Sequence, residues 1–305
     1  MSNYAVETNG LTKIYGNRKV VDGVSLHIPQ GAIYGFVGEN GSGKTTIIRL
    51  LMGLARPSAG RYSLFDVDYK NKNIYNIRKN ISAIVETPTI VASMTAYQNL
   101  EYACQYFGIK KYKEIIPGLL KTVGLGDVGR KKAGDFSLGM RQRLGIALLL
   151  LNEPKLVLLD EPMNGLDPSG VAELRDIIID LNKKGITFLI SSHILSELEK
   201  VATHWGFISH GKLLNELSNE ELANECKKCI DISHHDLNGL ENAVKEIGIK
   251  DYQRYPNSIK VYDEILPIDL LTKLSKKGFE IHSIKTIDVN VEEYYLSMIG
   301  GAKNV

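Results

Sequence analysis

The segment Gly38–Thr45, with the sequence GENGSGKT, constrains the fold of this chain more than any other feature. Its glycines and lysine stand at the positions of a phosphate-binding loop, in which backbone N–H groups converge on phosphate oxygens. The apolar run Ile33–Val37 before it predicts a buried strand, and the apolar spacing after it predicts a helix. The alternative is a glycine-rich turn before an ordinary helix. The strand–loop–helix context favours binding of a nucleoside triphosphate.

Side chains at the end of this loop suit a triphosphate and its metal. Lys44 can reach the β- and γ-phosphates, and the Thr45 hydroxyl can join the coordination shell of Mg²⁺. The predicted nucleotide-binding residues of the loop are Gly38, Asn40, Gly41, Gly43, Lys44, Thr45 and Thr46.

A second motif supplies carboxylates. The continuous apolar run Leu156–Leu159 is typical of a strand buried on both faces of a parallel sheet, and Asp160 and Glu161 follow it directly. At the carboxyl edge of such a sheet, Asp160 can hold Mg²⁺, and Glu161 can polarise the attacking water. The alternative is a strand followed by an acidic turn. The phosphate loop favours the catalytic interpretation.

A third motif begins a helix. Ser137 is a suitable N-cap for the apolar positions that follow, and Pro154 comes shortly after the predicted helix end. A serine-capped helix N-terminus is a second anion site, which is useful if it serves a nucleotide on another subunit. Taken alone, the segment could equally be an ordinary capped helix.

Charge and hydropathy exclude several classes of protein. Lys+Arg 37 against Asp+Glu 35 gives a net charge of +2, so no broad basic surface predicts a nucleic-acid partner. The longest apolar run, Ile146–Leu151, is far too short to span a bilayer, and the first residues predict no secretory signal. If this protein works at a membrane, we expect another chain to cross it.

The cysteines predict no disulfide framework. Cys226 and Cys229 form a CxxC pair with His234 and His235 close behind, which admits a metal or redox site. No second CxxC follows. The favoured interpretation is that one cysteine ends a helix and the next begins a strand.

With these motifs in place, the chain resembles the ATP-binding domain of ABC proteins from about Tyr4 to Leu217. The motifs follow that family's order: the phosphate loop, Ser137–Met140 as a form of the ABC signature, Leu156–Glu161, Asn164–Asp167 and Ser191–His193. The resemblance implies ATP as the nucleotide. It also implies an α/β P-loop ABC-type ATPase domain, with a mixed sheet core and a helical subdomain, over residues 1–217.

The resemblance also implies roles for single residues. Ser137 and Gly139 match the signature residues that face the γ-phosphate of the opposite protomer, and Asp167 matches the aspartate that crosses the dimer. His193 matches the γ-phosphate-sensing histidine, and Tyr15 matches the aromatic residue that stacks on adenine. Each has an alternative: Asp167 and His193 could simply cap helices, and Tyr15 could be a core residue.

Two differences from the usual ABC motifs indicate a subgroup within the family. Glu86 stands where ABC proteins usually have glutamine after the strand Ile81–Val85, and Leu138 and Met140 replace commoner signature residues. These features are similar to ATP-binding subunits of bacitracin-resistance and lantibiotic-immunity transporters, and the chain length is closer to the bacitracin type. The position of Glu86 predicts a metal contact. The alternative is an exposed loop glutamate.

Residues 218–305 follow a different pattern. Alternating and helical apolar spacings predict the order β-α-β-β-α-β, followed by a helix at Val291–Ile299. This order suggests a small α+β domain with a ferredoxin-like arrangement. No catalytic constellation is found in it, so we expect a regulatory or dimer-supporting role.

The sequence therefore predicts the ATPase subunit of an ABC transporter for a peptide antibiotic or similar amphipathic substrate. We expect a homodimer at the cytoplasmic face of the membrane, bound to integral-membrane permease subunits. The alternative is a non-transport ABC ATPase acting on a soluble or nucleic-acid partner. The chain has neither the second ATPase unit nor the long coiled-coil insertion usual in that group. Glu161 and His193 disfavour a module that only binds nucleotide.

Overall fold

The chain divides into two units, Met1–Asn219 and Glu220–Val305. The computed structural model describes residues 3–287 and 290–302. The sequence places the boundary after residue 217, and the observed division falls after residue 219.

The first unit alternates strands and helices. Its strands are β1 (Tyr4–Tyr15), β2 (Arg18–Val24), β3 (His27–Pro29), β4 (Ile33–Val37), β5 (Ala59–Leu64), β6 (Val67–Asp68), β7 (Ile81–Ile84), β8 (Leu156–Asp160), β9 (Thr187–Ser192), β10 (His204–Ser209) and β11 (Lys212–Ser218). Its helices are α1 (Lys44–Leu51), α2 (Ile74–Arg78), α3 (Ala96–Phe107), α4 (Tyr112–Thr122), α5 (Leu138–Leu150), α6 (Pro168–Lys183) and α7 (Leu195–Leu198).

The central sheet has the strand order β11-β10-β4-β9-β8-β7. Strands β10, β4, β9, β8 and β7 are parallel, and β11 pairs antiparallel at the edge. Every residue of β4, β8 and β9 is buried, which is why the interior of each strand is apolar. The predicted mixed sheet is thereby confirmed.

A second, antiparallel sheet has the order β2-β1-β5-β6, with β3 paired to β1. One buried cluster contains residues of this sheet, of the central sheet and of α1, including Leu11, Phe36, Ile47, Tyr62 and Leu158. Helix α1 is thus fixed in a core shared by both sheets, and this core holds the preceding loop in place.

Helices α3, α4 and α5 lie in sequence between β7 and β8 and contact one another. Thr95 begins α3 with a capping box, in which its hydroxyl accepts from the Gln98 backbone and the Gln98 side chain accepts from the Thr95 backbone. Leu100, Ile116 and Leu144 are fully buried, one on each helix. This group is the helical subdomain that the sequence predicts.

The second unit follows α8 (Asn219–Glu225), which begins at the last residue of the first unit. Its remaining elements are β12 (Cys229–Ser233), α9 (Leu237–Glu246), β13 (Tyr252–Arg254), β14 (Ile259–Val261), α10 (Pro267–Lys276), β15 (Ser283–Ile287) and α11 (Val291–Ala302). The strand order is β13-β14-β12-β15, and all neighbours are antiparallel. The assignment to the ferredoxin-like fold stays a prediction.

The CxxC pair lies at the start of this second unit. Cys226 follows α8, and Cys229 is the first residue of β12. Burial raises the pKa of the Cys229 thiol, which opposes formation of a reactive thiolate. Within residues 3–287 and 290–302, no group of three or more His, Cys, Asp or Glu side chains is arranged to hold a metal ion.

None of the helices within residues 3–287 and 290–302 combines the length and the apolar character that crossing a bilayer requires.

Candidate functional site

The predicted phosphate loop joins the end of β4 to the start of α1, at the carboxyl edge of the central sheet. Gly43 has a φ of +111°, and a Cβ there would lie 2.8 Å from the Val20 carbonyl oxygen. A Cβ at Gly38 would come within 2.5 Å of the Ile208 carbonyl oxygen. Both positions therefore require glycine, because neighbouring backbone approaches too closely for a side chain.

The start of α1 is available to an anion. Among the described residues, no side chain hydrogen-bonds to the helix at its N-cap, Gly43. The first-turn N–H groups, which belong to Lys44, Thr45 and Thr46, have no intrahelical partner. The buried Ser42 hydroxyl has no hydrogen-bond partner among the residues that the structure describes. Phosphate oxygens would satisfy such groups, so the loop fits a triphosphate.

Lys44 is buried and folded back onto the loop. Its ammonium donates to the Gly38 carbonyl oxygen at 2.5 Å and to the Glu39 carbonyl oxygen at 3.2 Å. It also lies 3.2 Å from Oε1 of Glu161. The positive charge is therefore held between the phosphate loop and the carboxylate of the second motif.

The hydroxyl of Thr45 and the carboxylate of Asp160 are in direct contact. Thr45 Oγ1 donates to Oδ2 of Asp160 at 2.7 Å, and Ser191 Oγ donates to Oδ1 at 2.6 Å. Asp160 is almost fully buried at the end of β8. A hydroxyl and a carboxylate are the hard oxygen donors that Mg²⁺ prefers, so this pair fits the predicted metal.

Glu161 and His193 form the other half of the site. Oε2 of Glu161 lies 2.9 Å from Nδ1 of His193 and accepts from the His193 backbone N–H at 3.3 Å. Oε1 is buried and makes no hydrogen bond within the described residues. Glu161 also has a φ of +50°, a strained conformation for a residue with a side chain. One carboxylate oxygen is thus oriented, and the other is left beside Lys44.

The strand order explains this convergence. β9 lies between β4 and β8, so the loop after β4, the segment after β9 and the carboxylates after β8 meet at one edge. The Glu161 backbone N–H lies 3.1 Å from the Ser191 carbonyl oxygen and 3.0 Å from the Ser191 hydroxyl. Ser191 therefore orients both carboxylate residues. The sequence motif Ser191–His193 predicts a role for His193 and none for Ser191.

The signature residues form a separate cluster. Ser137 caps α5 by accepting from the Met140 N–H at 3.3 Å, and Asp167 caps α6 by accepting from the Gly170 N–H at 3.2 Å. A Cβ on Gly139 would lie 3.6 Å from the Cα of Gly170, so the two helix starts pack closely. The caps are confirmed, and the roles of Ser137, Gly139 and Asp167 toward a nucleotide stay predictions.

Tyr15 is the last residue of β1 and pairs with Arg18, the first residue of β2. Its side chain is 47% exposed, so it is not the core residue that the alternative requires. The Lys13 ammonium lies 4.8 Å from its ring centroid. A cavity of about 250 Å³ lies against the phosphate loop. Its lining includes Asn40 and Gly41 of the loop, together with Arg18, Val20 and His210.

Glu86 differs from the other predicted metal residues. Its carboxylate is 67% exposed and accepts from Nη2 of Arg49 at 2.7 Å. Strand β7 ends at Ile84, and Glu86 follows with a φ of +68°. In this conformation Glu86 is paired at the surface, while Thr45 and Asp160 contact each other. Its metal contact stays a prediction.

A groove of about 890 Å³ runs beside this segment, between β7 and helices α3 and α5. Its lining includes Val85, Thr87, Pro88, Phe107 and Gly145. A Cβ on Gly145 would lie 2.6 Å from the Cβ of Pro88, so glycine keeps this wall in contact with the loop. Most of the residues that line the groove are apolar.

The matches to known families agree with this geometry. A sequence model of the family described as "ABC transporter" matches residues 21–164. The chain is 41% identical over 301 residues to the bacitracin transport ATP-binding protein BcrA of Bacillus licheniformis, covering 97% of each protein. It is 41% identical over 211 residues to the lantibiotic transport ATP-binding protein SrtF of Streptococcus pyogenes, covering 69% of this chain and 90% of that protein.

The similar solved structures are also ATP-binding components of ABC transporters. One similar structure is that of cbiO1 from Clostridium perfringens, described as part of the ABC transporter complex cbiONQ. It has a TM-score of 0.66 and 26% identity, and the match covers 73% of this chain and 92% of that one. An ATP-binding cassette of an ABC transporter in its ADP conformation matches with a TM-score of 0.64 and 27% identity, over 73% and 94% of the two chains.

Proposed function

The chain belongs to the ATP-binding proteins of the ABC transporter family, and we propose how it hydrolyses ATP and what it transports. It is an ATPase subunit. We propose that it powers the export, or the removal from the membrane, of a peptide antibiotic or similar amphipathic substrate through separate membrane subunits. The observation that carries the ATP-driven part of this proposal is the convergence of Lys44, Asp160, Glu161 and His193 at the edge of the central sheet.

In the proposed mechanism, the phosphate loop binds the triphosphate through its backbone N–H groups and Lys44 neutralises the β- and γ-phosphates. Thr45 and Asp160 would hold Mg²⁺, which when bound neutralises charge on the phosphate oxygens. Ser191 keeps Asp160 in place by its hydrogen bond to Oδ1. These residues bind and orient the substrate for in-line attack.

Glu161 is the proposed general base. His193 holds Oε2, so Oε1 is free to accept a proton from the attacking water once Lys44 has turned toward the phosphates. The contact between Lys44 and Glu161 would be exchanged for contacts to the γ-phosphate. The strained backbone of Glu161 is consistent with a catalytic position, since strain of this kind concentrates at functional sites.

We further propose a symmetric homodimer in which each protomer completes the other's site. The starts of α5 and α6, at Ser137 and Asp167, pack against each other through Gly139 and Gly170. Helix N-termini attract anions, so Ser137 and Gly139 are suited to the γ-phosphate of the partner's nucleotide. The exposed Tyr15 would stack on adenine within its own protomer.

The membrane subunits would dock in the groove between β7 and α3/α5. Three aromatic side chains near it are exposed: Tyr75 at 73%, Tyr106 at 81% and Phe107 at 49%. Exposed aromatic residues around an apolar groove are typical of a protein-binding surface. Docking there would place the subunit at the cytoplasmic face of the membrane. The near-neutral charge, +2, supports a protein partner over nucleic acid.

The substrate class rests on the relatives. The bacitracin transport protein BcrA aligns with 97% of this chain, including the second unit, whereas the lantibiotic transport protein SrtF aligns with 69%. The match to the bacitracin type thus extends through the part of the chain that follows the ATPase domain. This difference supports bacitracin-like peptides as the first substrates to test.

Resistance to peptide antibiotics tests this proposal. Co-expression of the chain with its membrane subunits in a sensitive host should raise the inhibitory concentration of bacitracin or a related peptide. The Glu161→Gln variant, matched in expression level, should give no increase because transport requires ATP turnover. Two outcomes would contradict the proposed function: equal resistance with the wild-type and Glu161→Gln proteins, or no increase in resistance to any peptide antibiotic with the wild-type protein.

A second prediction concerns coupling through Glu86. Because it lies between the groove residues Val85 and Thr87, Glu86→Ala should separate ATPase activity from resistance, and Glu86→Gln should do so more mildly. Both quantities are measured in the same cells and membranes. Glu114→Ala, at another exposed carboxylate, is the matched control. Wild-type values of both quantities in Glu86→Ala would make Glu86 only a surface residue.

A further inference from the structure

Arg49 connects the phosphate-loop helix to the segment that contains Glu86. It lies in the last turn of α1, four residues after Thr45, so the two side chains share one face of the helix. Its guanidinium donates to the Glu86 carboxylate at 2.7 Å. Neither the motifs nor the catalytic geometry assigns a role to Arg49.

The backbone at Glu86 forms a tight turn. The Thr87 N–H donates to the Val85 carbonyl oxygen at 3.0 Å, and Glu86 is the central residue with a φ of +68°. A three-residue turn with a positive central φ is rare and strained. Val85 and Thr87 both line the groove between β7 and α3/α5, so a change at Glu86 changes that wall of the groove.

The contact between Arg49 and Glu86 is suited to being broken. The two side chains are 43% and 67% exposed, and exposed ion pairs contribute little to stability. A carboxylate that leaves Arg49 can be attracted by a divalent cation, which carries twice the charge of a guanidinium. Glu86 therefore has two competing partners: the arginine in the present conformation and a metal brought in with the nucleotide.

We propose that Arg49 is a positioning residue that holds the Glu86 carboxylate away from the metal site until nucleotide and Mg²⁺ bind together. This inference rests on the proposed function. Release of Glu86 from Arg49 relaxes the turn at residues 85–87, and this movement alters the wall of the groove. Arg49 thus sets how strongly nucleotide binding depends on the metal.

The test measures binding and not turnover. In a Glu161→Gln background, which prevents consumption of ATP, the dissociation constant of ATP is measured by calorimetry in EDTA and in excess Mg²⁺. The dissociation constant in EDTA divided by that in Mg²⁺ reports how strongly ATP binding depends on the metal. Arg49→Met should increase this ratio about two- to fivefold, the range expected for loss of one exposed ion pair. Arg49→Lys, which keeps the charge, should stay near the parent value.

A double-mutant cycle tests whether the effect of Arg49→Met on the metal dependence acts through Glu86. In a Glu86→Gln background, Arg49→Met should leave the ratio unchanged, because Arg49 acts only through the carboxylate. Arg175→Met, which removes an arginine paired with Asp176 on α6, is the matched control and should leave the ratio unchanged. An unaltered ratio in Arg49→Met, or the same increase with Glu86→Gln present, would overturn the inference. Failure of the parent protein to bind ATP at all would instead refute the proposed function.

Discussion

ATP turnover by the Glu161→Gln variant is expected to fall by about 10²–10⁴-fold relative to the wild-type protein, with ATP affinity retained. Glutamine has the shape of glutamate and can keep a contact to His193, but it cannot accept the proton from the attacking water. It also removes the negative charge that lies 3.2 Å from the Lys44 ammonium. Lys44 would then be more available to phosphates, so binding should not weaken.

The measurement is steady-state phosphate release by the purified variant, together with ATP affinity in the same buffer. Glu173→Gln is a matched control, since Glu173 pairs with Arg143 on the neighbouring helix and lies outside the carboxylate cluster. A stable dimer should form with ATP in Glu161→Gln but not in the control, and size-exclusion chromatography detects it. Near-normal turnover in Glu161→Gln would exclude Glu161 as the base.

The shared site predicts that two inactive variants restore each other. Ser137→Arg should block the partner's nucleotide site, and Lys44→Ala should remove the phosphate contact in its own. Each variant alone should therefore be nearly inactive. In a mixed dimer, the Lys44 loop of the first chain meets the Ser137 helix of the second, and both are intact.

Equal mixing should restore roughly a quarter of wild-type activity, because half of the dimers are mixed and each has one intact site of two. The chains carry different affinity tags, so that mixed dimers can be isolated and their ATPase rate measured directly. A mixture of Ser137→Arg with Ser137→Arg under another tag controls for the tags. Isolated mixed dimers without activity would contradict the head-to-tail arrangement.

The local elements could be predicted from sequence because their signals are local. Ile33–Val37 and Leu156–Leu159 read as buried strands since each is a continuous apolar run, and the structure has β4 and β8 there. Residue type alone predicts Ser137 and Asp167 as helix caps, and both side chains accept a backbone hydrogen bond. The strand predicted to end at Val85 ends at Ile84, because the turn around Glu86 begins there.

The sequence alone predicts the chemistry of the site: a phosphate loop after one apolar strand, and an aspartate and a glutamate at the end of another. Which of these side chains touch depends on the order of the strands in the folded sheet. His193 meets Glu161, and Ser191 orients Asp160, because β9 lies between β4 and β8, and strand order is a long-range property that apolar spacing does not encode. The pairing of Glu86 with Arg49 likewise depends on the packing of α1 against the sheet, since the two residues are 37 positions apart and the sequence predicts a metal contact for Glu86 and no partner for Arg49.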